Sequence, residues 1–267
     1  PRVVARFDRS VLRQPRWILA LVVGAVLTIL FVRLAVWQLD RLDERRTENA
    51  LIEQRRDAPP EELGSLVASI GRDPAALNHR PVTVQGVYRH DLEFFSVGRT
   101  YDDASGTLVA TPLELADDTL IVVIRGLVPS GTPGPPAEGF AAPEGPVEVT
   151  GWIDDGEEPL RIGEPDPVDG VIRSISRIDL AYIDRWIDEG VLDVSIVLEA
   201  EDPAPTESVP IPIPLEELTE GSHLGYAIQW FGFAIIVMVG VGYLVWRAGS
   251  SRAPTPPMEE PSHHVGA

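Results

Sequence analysis

Hydrophobic positions gather into two long blocks near the ends of the chain and alternate with polar ones between them. Residues 17–32 are uncharged and mostly aliphatic; Arg33 interrupts, and the apolar run resumes over 34–39 to the Trp37-Gln38 pair. That block, about 23 residues, is long enough to cross a hydrocarbon core of roughly 30 Å. Arg33 lies near its end and reaches the interface by extending its side chain. The second block, 224–246, carries no charge and is closed by Arg247. Trp17, Trp37, Trp230, Tyr243 and Trp246 sit near the block ends, where interfacial aromatics belong. The pattern predicts two transmembrane helices, 17–39 and 223–246. The first block exceeds the apolar stretch of about 7–15 residues in a cleaved signal peptide, and no small-x-small site follows it, so an anchor is expected.

Between the spans the period changes. Residues 40–57 carry Leu42, Leu51 and Ile52 at loose helical spacing and continue the first helix into water. A loop at Ala58-Pro59-Pro60 precedes a short helical pattern over 61–70. From His79 onward the period is two, with strands expected at 82–87, 92–97, 108–115, 120–128, 147–153, 171–174 and 194–198, separated by turn-rich pieces. A helix over 179–189 carries Leu180, Ile183 and Ile187 on one face, with Asp179 positioned to cap it. Segments 130–146, 154–170 and 200–214 are rich in Pro, Gly or acid and read as surface loops. The tail 252–267 reads as disordered. The fold class is therefore two transmembrane α-helices flanking an α+β domain with a mainly antiparallel β-sheet or small open barrel.

Charge sets the orientation. Residues 1–16 hold five Arg against one Asp, whereas 40–222 hold 14 Arg against 38 acids, a net of −24. The flanks of the first helix tie, with five Arg on each side. The second helix decides: Arg247 and Arg252 follow it, and 186–222 contain no basic side chain. The positive-inside rule then predicts a cytoplasmic basic N-terminus (1–16), a central domain outside the cytoplasm (40–222) and a cytoplasmic tail (247–267). So acidic a domain excludes nucleic acid as a partner. All 22 basic residues other than His are Arg; no physical requirement removes every Lys, and a GC-rich coding bias is the reading. The absence of Cys excludes disulfides, thiolate metal sites and a thiolate nucleophile.

Chemistry is sparse. No His-Glu-x-x-His pattern, phosphate-binding glycine loop or Gly-x-Ser-x-Gly elbow occurs. His79 and His90 stand at opposite ends of one expected strand and make a poor ligand pair; His263 and His264 lie in the tail. His223 differs, because it stands immediately before the second span, in the run His223-Leu224-Gly225-Tyr226-Ala227-Ile228-Gln229-Trp230-Phe231. At 3.6 residues per turn, His223, Tyr226 or Ala227, and Trp230 share a stripe. The first helix leaves the membrane at the same level with Trp37, Gln38 and Arg41. Two readings fit. One is an aromatic belt with an interfacial His capping a helix, which leads on geometry alone. The other is a hydrophobic slot with an imidazole at its mouth and Arg nearby, which suits a planar, apolar, iron-bearing ligand with acidic propionates.

The residues also carry a family resemblance. Trp37-Gln38-Leu39-Asp40-Arg41 resembles the Trp-Gln-Leu-x-Arg signature of the surfeit locus protein 1 family, the cytochrome c oxidase assembly factors. The run from His223 to Phe231 resembles that family's His-Leu-x-Tyr-Ala-x-Gln-Trp-Phe at the start of its second span. The segments 80–88, 106–113 and 125–129 are similar to intervening blocks, so the likeness runs in order over about residues 17–247. The chain departs at Ile124 and Leu127, where the family commonly has Asn and Trp, and at Val36, where it commonly has Gly.

The resemblance implies a non-enzymatic factor of the bacterial cell membrane that assists insertion of haem a into the catalytic subunit of a haem-copper oxidase. It implies His223 as ligand to the haem iron, with Trp37, Gln38, Arg41, Tyr226, Gln229 and Trp230 as surrounding shell. Partners so implied are the oxidase catalytic subunit, other oxidase subunits and the lipid bilayer. An alternative is an accessory subunit that stays on the mature oxidase, within a supercomplex that includes quinol–cytochrome c reductase. Copper delivery is disfavoured, since soft Cu(I) prefers Cys and Met and the chain has no Cys and only Met238 and Met258. A membrane-bound sensor lacks any cytoplasmic output module to support it.

Overall fold

The computed structural model describes residues 8–101, 104–158, 173–187, 189–208, 210–215 and 217–250. The expected tail at 252–267, residues 159–170 of the acidic loop and the first two residues of the strand expected at 171–174 lie outside them. Two compact units form: one holds the chain up to Asn49 and from Thr219 onward, the other Ala50–Leu218.

The terminal unit is built on two helices, α1 (Pro15–Arg56) and α5 (His223–Ser250), both long and apolar enough to cross a membrane. With 42 residues, α1 is about 63 Å long, so only part of it fits a hydrocarbon core. Its buried residues include Ala35, Gln38 and Leu42, and those of α5 include Ala227 and Ala234. The seven-residue steps from 35 to 42 and from 227 to 234 are the repeat of a left-handed helix pair. Small side chains on such a seam let the backbones approach: a Cβ at Gly24 would stand 2.9 Å from Val241 Cγ2. Leu19, Ile29, Ile236 and Val239 point outward and are exposed, the face a lipid-bathed pair presents. Asp8 caps a short 3-10 helix, Arg9–Arg13, which lies against α5.

Ala50–Leu218 is a small barrel with flanking helices. Its strands are β1 (Glu61–Glu62), β2 (Pro81–Tyr88), β3 (Phe94–Tyr101), β4 (Ala104–Glu114), β5 (Leu120–Pro129), β6 (Pro146–Asp154), β7 (Ser174–Ile175) and β8 (Val191–Asp202). They run in the order β1-β2-β6-β8-β5-β4-β3-β7, and β2 also pairs with β4 at Val87↔Glu114 and Tyr88↔Leu113. That extra pairing closes β2, β6, β8, β5 and β4 into a ring. Most neighbours are antiparallel; β1–β2, β3–β7 and β5–β8 are parallel. Val84, Leu113, Ile121, Val149 and Ile196 form part of one core cluster, to which Leu63 and Leu66 of α2 (Leu63–Ile70) belong. A one-turn helix, α3 (Pro74–Leu77), adds Leu77. The other face of β5 packs Leu120, Val122 and Ile124 with Leu180, Ile183 and Ile187 of α4 (Leu180–Ile187). Being covered on both faces, β5 reads as an unbroken apolar run over 120–124 rather than an alternating one.

Three local features differ from the sequence pattern. The third loop-like segment, 200–214, begins later than expected, because β8 continues to Asp202 and Ile211 then bridges back to Leu127. The Gly/Pro-rich segment after β5 is irregular but not simply solvated: Ala137 is buried, and its N–H donates to Glu93 Oε1 at 2.6 Å. The register of β4 on β5 passes from Val109↔Gly126 to Ala110↔Ile124, so Arg125 is a bulge residue. Gly126 takes φ +135, and a Cβ there would lie 2.5 Å from Ile211 O. Arg125 follows Ile121 and Val123 on the core-facing side of β5, and the bulge bends the strand at that point. Arg125 is fully buried, donating to Phe140 O at 2.8 Å, 3.6 Å from Glu93 and over the Tyr88 ring.

Candidate functional site

Gly221, with φ +67, turns the chain into α5, and Ser222 O accepts from Tyr226 N at 3.1 Å. His223 therefore opens the helix, with its ring half-buried. Gln38 is 9% exposed on the inner seam of α1, and its Oε1 lies 2.9 Å from His223 Nδ1. An amide oxygen only accepts, so Nδ1 donates, and in the neutral ring Nε2 then keeps its lone pair. Among the described residues none engages Nε2. A Cβ added at Gly221 would stand 3.5 Å from it, so the glycine leaves room on that side.

The other residues singled out from sequence divide. Trp230 lies two turns further along α5 and stacks on Phe31 at 5.7 Å between ring centroids; Phe233 packs edge-on to Trp230 and tilted to Phe31 at the same separation. Trp37 and Tyr226 are about half exposed, and Gln229 is exposed. Arg41 is exposed and engages Glu44 on its own helix. The structure thus brings His223 to Gln38 and Trp230 to an aromatic trio, while Trp37, Arg41, Tyr226 and Gln229 make no hydrogen bond to the imidazole. Of the expected shell, Gln38 is the residue whose polar atom reaches the ring. The reason is the seam: Gln38 is on the α1 face that meets α5, and Trp37 and Arg41 are turned from it.

Phe31 and Phe233 were not singled out. The signal was present at residue 31, one heptad before Gln38, as Trp230 is one heptad after His223. A polar clasp flanks the pair as well. Arg46 donates twice to Glu220, at 2.8 and 2.9 Å, and Asn49 Nδ2 donates to Thr219 O at 3.1 Å. These partners are more than 160 residues apart, and nothing in the local pattern marks them.

The barrel unit has its own cavity of about 610 Å³, with His79, Arg99, Trp152, Asp154 and Glu157 in its wall. Burial pushes the Asp154 carboxyl up, against the opposing Gly156 N–H. Burial would raise Glu157 too, but the Arg99 guanidinium and the Ile178 N–H outweigh it and hold the carboxyl below its usual range. Arg99 and Glu157 pair within the wall, while Asp154 accepts from Gly156 N and faces the like charge of Glu157. No cluster of three potential His, Asp or Glu metal ligands occurs among the described residues. The helix junction, where an unused nitrogen is held in place, is the better candidate.

Comparison with known proteins agrees with the fold. The SURF1 family profile matches residues 25–235. An uncharacterised SURF1-like protein of Mycobacterium bovis is 28% identical over 257 residues, covering 94% of this chain and 92% of the relative. SURF1-like proteins of Monosiga brevicollis and Rickettsia felis are 26% and 22% identical, covering 84% and 85% of this chain and 87% and 96% of theirs. The match takes in α1 from within its apolar block, the whole barrel and the first half of α5, and on that breadth the chain belongs to the SURF1 family.

Proposed function

We propose that this protein is an assembly factor for a haem-copper cytochrome c oxidase, and that it holds haem a at the outer junction of its two helices on the way to the catalytic subunit. Membership of the SURF1 family supports the oxidase part. The observation that carries the haem part is the imidazole of His223, tethered through Nδ1 and open at Nε2. The donor set fits the cargo: a neutral ring nitrogen is an ordinary axial ligand for haem iron, and the Phe31–Trp230–Phe233 trio offers an apolar aromatic wall. Haem is cargo in this reading and the protein is not an enzyme. The chain's own work is to bind, orient and release, with Arg41 carrying a propionate in exchange for Glu44 of its own helix. The charge asymmetry supports cytoplasmic termini and a barrel outside the cytoplasm.

The test is a tagged protein expressed in cells that make haem a. Wild type is expected to copurify oxidase subunits and retain a Soret band, and His223→Ala to lose most of the band while still folding. Deleting the gene is expected to leave oxidase apoprotein poor in haem a. Unchanged haem content in His223→Ala removes the ligand assignment. Capture of a fully haem-replete mature oxidase instead identifies a resident accessory subunit.

A further inference from the structure

We propose that Gln38 is a positioning residue that locks His223 in the Nδ1–H tautomer and so presents Nε2 as the ligand nitrogen, with Gly221 keeping the space beside that nitrogen clear. What Nε2 binds rests on the haem-carrier reading above; which nitrogen is offered rests on geometry alone. Three observations carry the assignment.

First, Gln38 Oε1 is 2.9 Å from Nδ1 and has no proton to give. A neutral imidazole in water prefers its proton on Nε2, so the arrangement reverses the intrinsic preference of the ring. A buried amide at this position has a reason to hold that reversal, since few other partners reach it on the helix seam. Second, histidines that bind metals through one nitrogen nearly always donate the other N–H to an oxygen, which fixes the ring and raises its basicity. Third, the residue flanking Nε2 is a glycine with a positive φ, and a side chain there would begin 3.5 Å from the nitrogen.

The chemistry of Gln also suits transfer. A carboxylate at this position would push the ring towards imidazolate and tighten the iron bond. An amide oxygen orients the ring without adding charge, which favours a ligand that is handed on.

The experiment uses the full chain in detergent, free of haem, with 15N-labelled histidine at a pH where the ring is neutral. The His223 signals are identified by their loss in His223→Ala. The expected spectrum has a protonated Nδ1 and a bare Nε2. Gln38→Leu is expected to move the proton to Nε2, and Gln38→Glu to keep it on Nδ1. Haemin titration of the same samples is expected to weaken about 10- to 100-fold in Gln38→Leu and to tighten in Gln38→Glu. Gly221→Asn, which tolerates the left-handed backbone, should leave the tautomer alone and still weaken haemin.

A wild-type ring carrying its proton on Nε2, or an unchanged nitrogen pattern in Gln38→Leu, overturns the proposal. So does haemin binding that Gln38→Leu leaves unaltered. If the tautomer behaves as expected and wild type binds no haemin, the positioning role stands and the haem-carrier reading falls.

Discussion

Two buried polar contacts organise this molecule, one in each unit. In the helix pair, the amide of Gln38 meets the imidazole of His223. In the barrel, Arg125 and Glu93 are both fully buried. Glu93 accepts from Thr111 Oγ1 at 2.7 Å and from Ala137 N at 2.6 Å, while Nε and Nη2 of Arg125 have no hydrogen-bond partner among the described residues. Removing one member of such a pair leaves the other as an uncompensated charge, at about 3–5 kcal/mol. Arg125→Met is therefore expected to lower the unfolding free energy by about that amount, as is Glu93→Leu. The double variant should lose less than the sum by about 0.5–3 kcal/mol. Denaturant titration of the detergent-solubilised chain measures this cycle; strict additivity would mean that the two residues act independently. At this scale the sequence showed Gln38 and His223 as separate motif members and Arg125 as a member of the 125–129 block, but not the buried partners Arg125 meets.

Among the elements, the helices and the longer strands were legible and the irregular connections were not. The first helix was expected to run on into water, and α1 does so to Arg56, supported by the Arg41–Glu44 and Arg45–Glu48 pairs one turn apart. Asp179 caps α4 as its position suggests, accepting from Tyr182 N at 3.0 Å. The seam between α1 and α5 makes a specific demand at Gly24, where an added Cβ would meet Val241. Gly24→Leu is expected to destabilise the helix pair by about 1–3 kcal/mol through overpacking. Val26→Leu, on the exposed face, should leave thermal unfolding in detergent unchanged. Equal effects from both would mean that the helices do not pack through this seam. The Ser130–Pro146 region was read as a surface loop because Gly and Pro resist regular structure. Its backbone instead supplies the acceptor for Arg125 and a donor for Glu93, and irregular structure carries no periodic trace of such a task.

For the whole molecule, the absence of cysteine gives a direct test of orientation. Ser10→Cys and Asp193→Cys each create the sole thiol, both at exposed positions. In intact spheroplasts a membrane-impermeant maleimide is expected to label Asp193→Cys and spare Ser10→Cys; labelling of both after lysis is the control. The reverse pattern would invert the topology argued from Arg247 and the acidic central domain. The sequence by itself determined the two apolar helices, the alternating strands and the amphipathic α4, because each is written as a period over contiguous residues. The tertiary structure alone decided that β2 reaches β4 to close a ring, that Arg125 meets Glu93, and that Gln38 is hydrogen-bonded to His223. Partners in that last pair are 185 residues apart. Contacts between distant residues are selected by packing and by the need to satisfy buried polar groups, and neither leaves a mark on local periodicity.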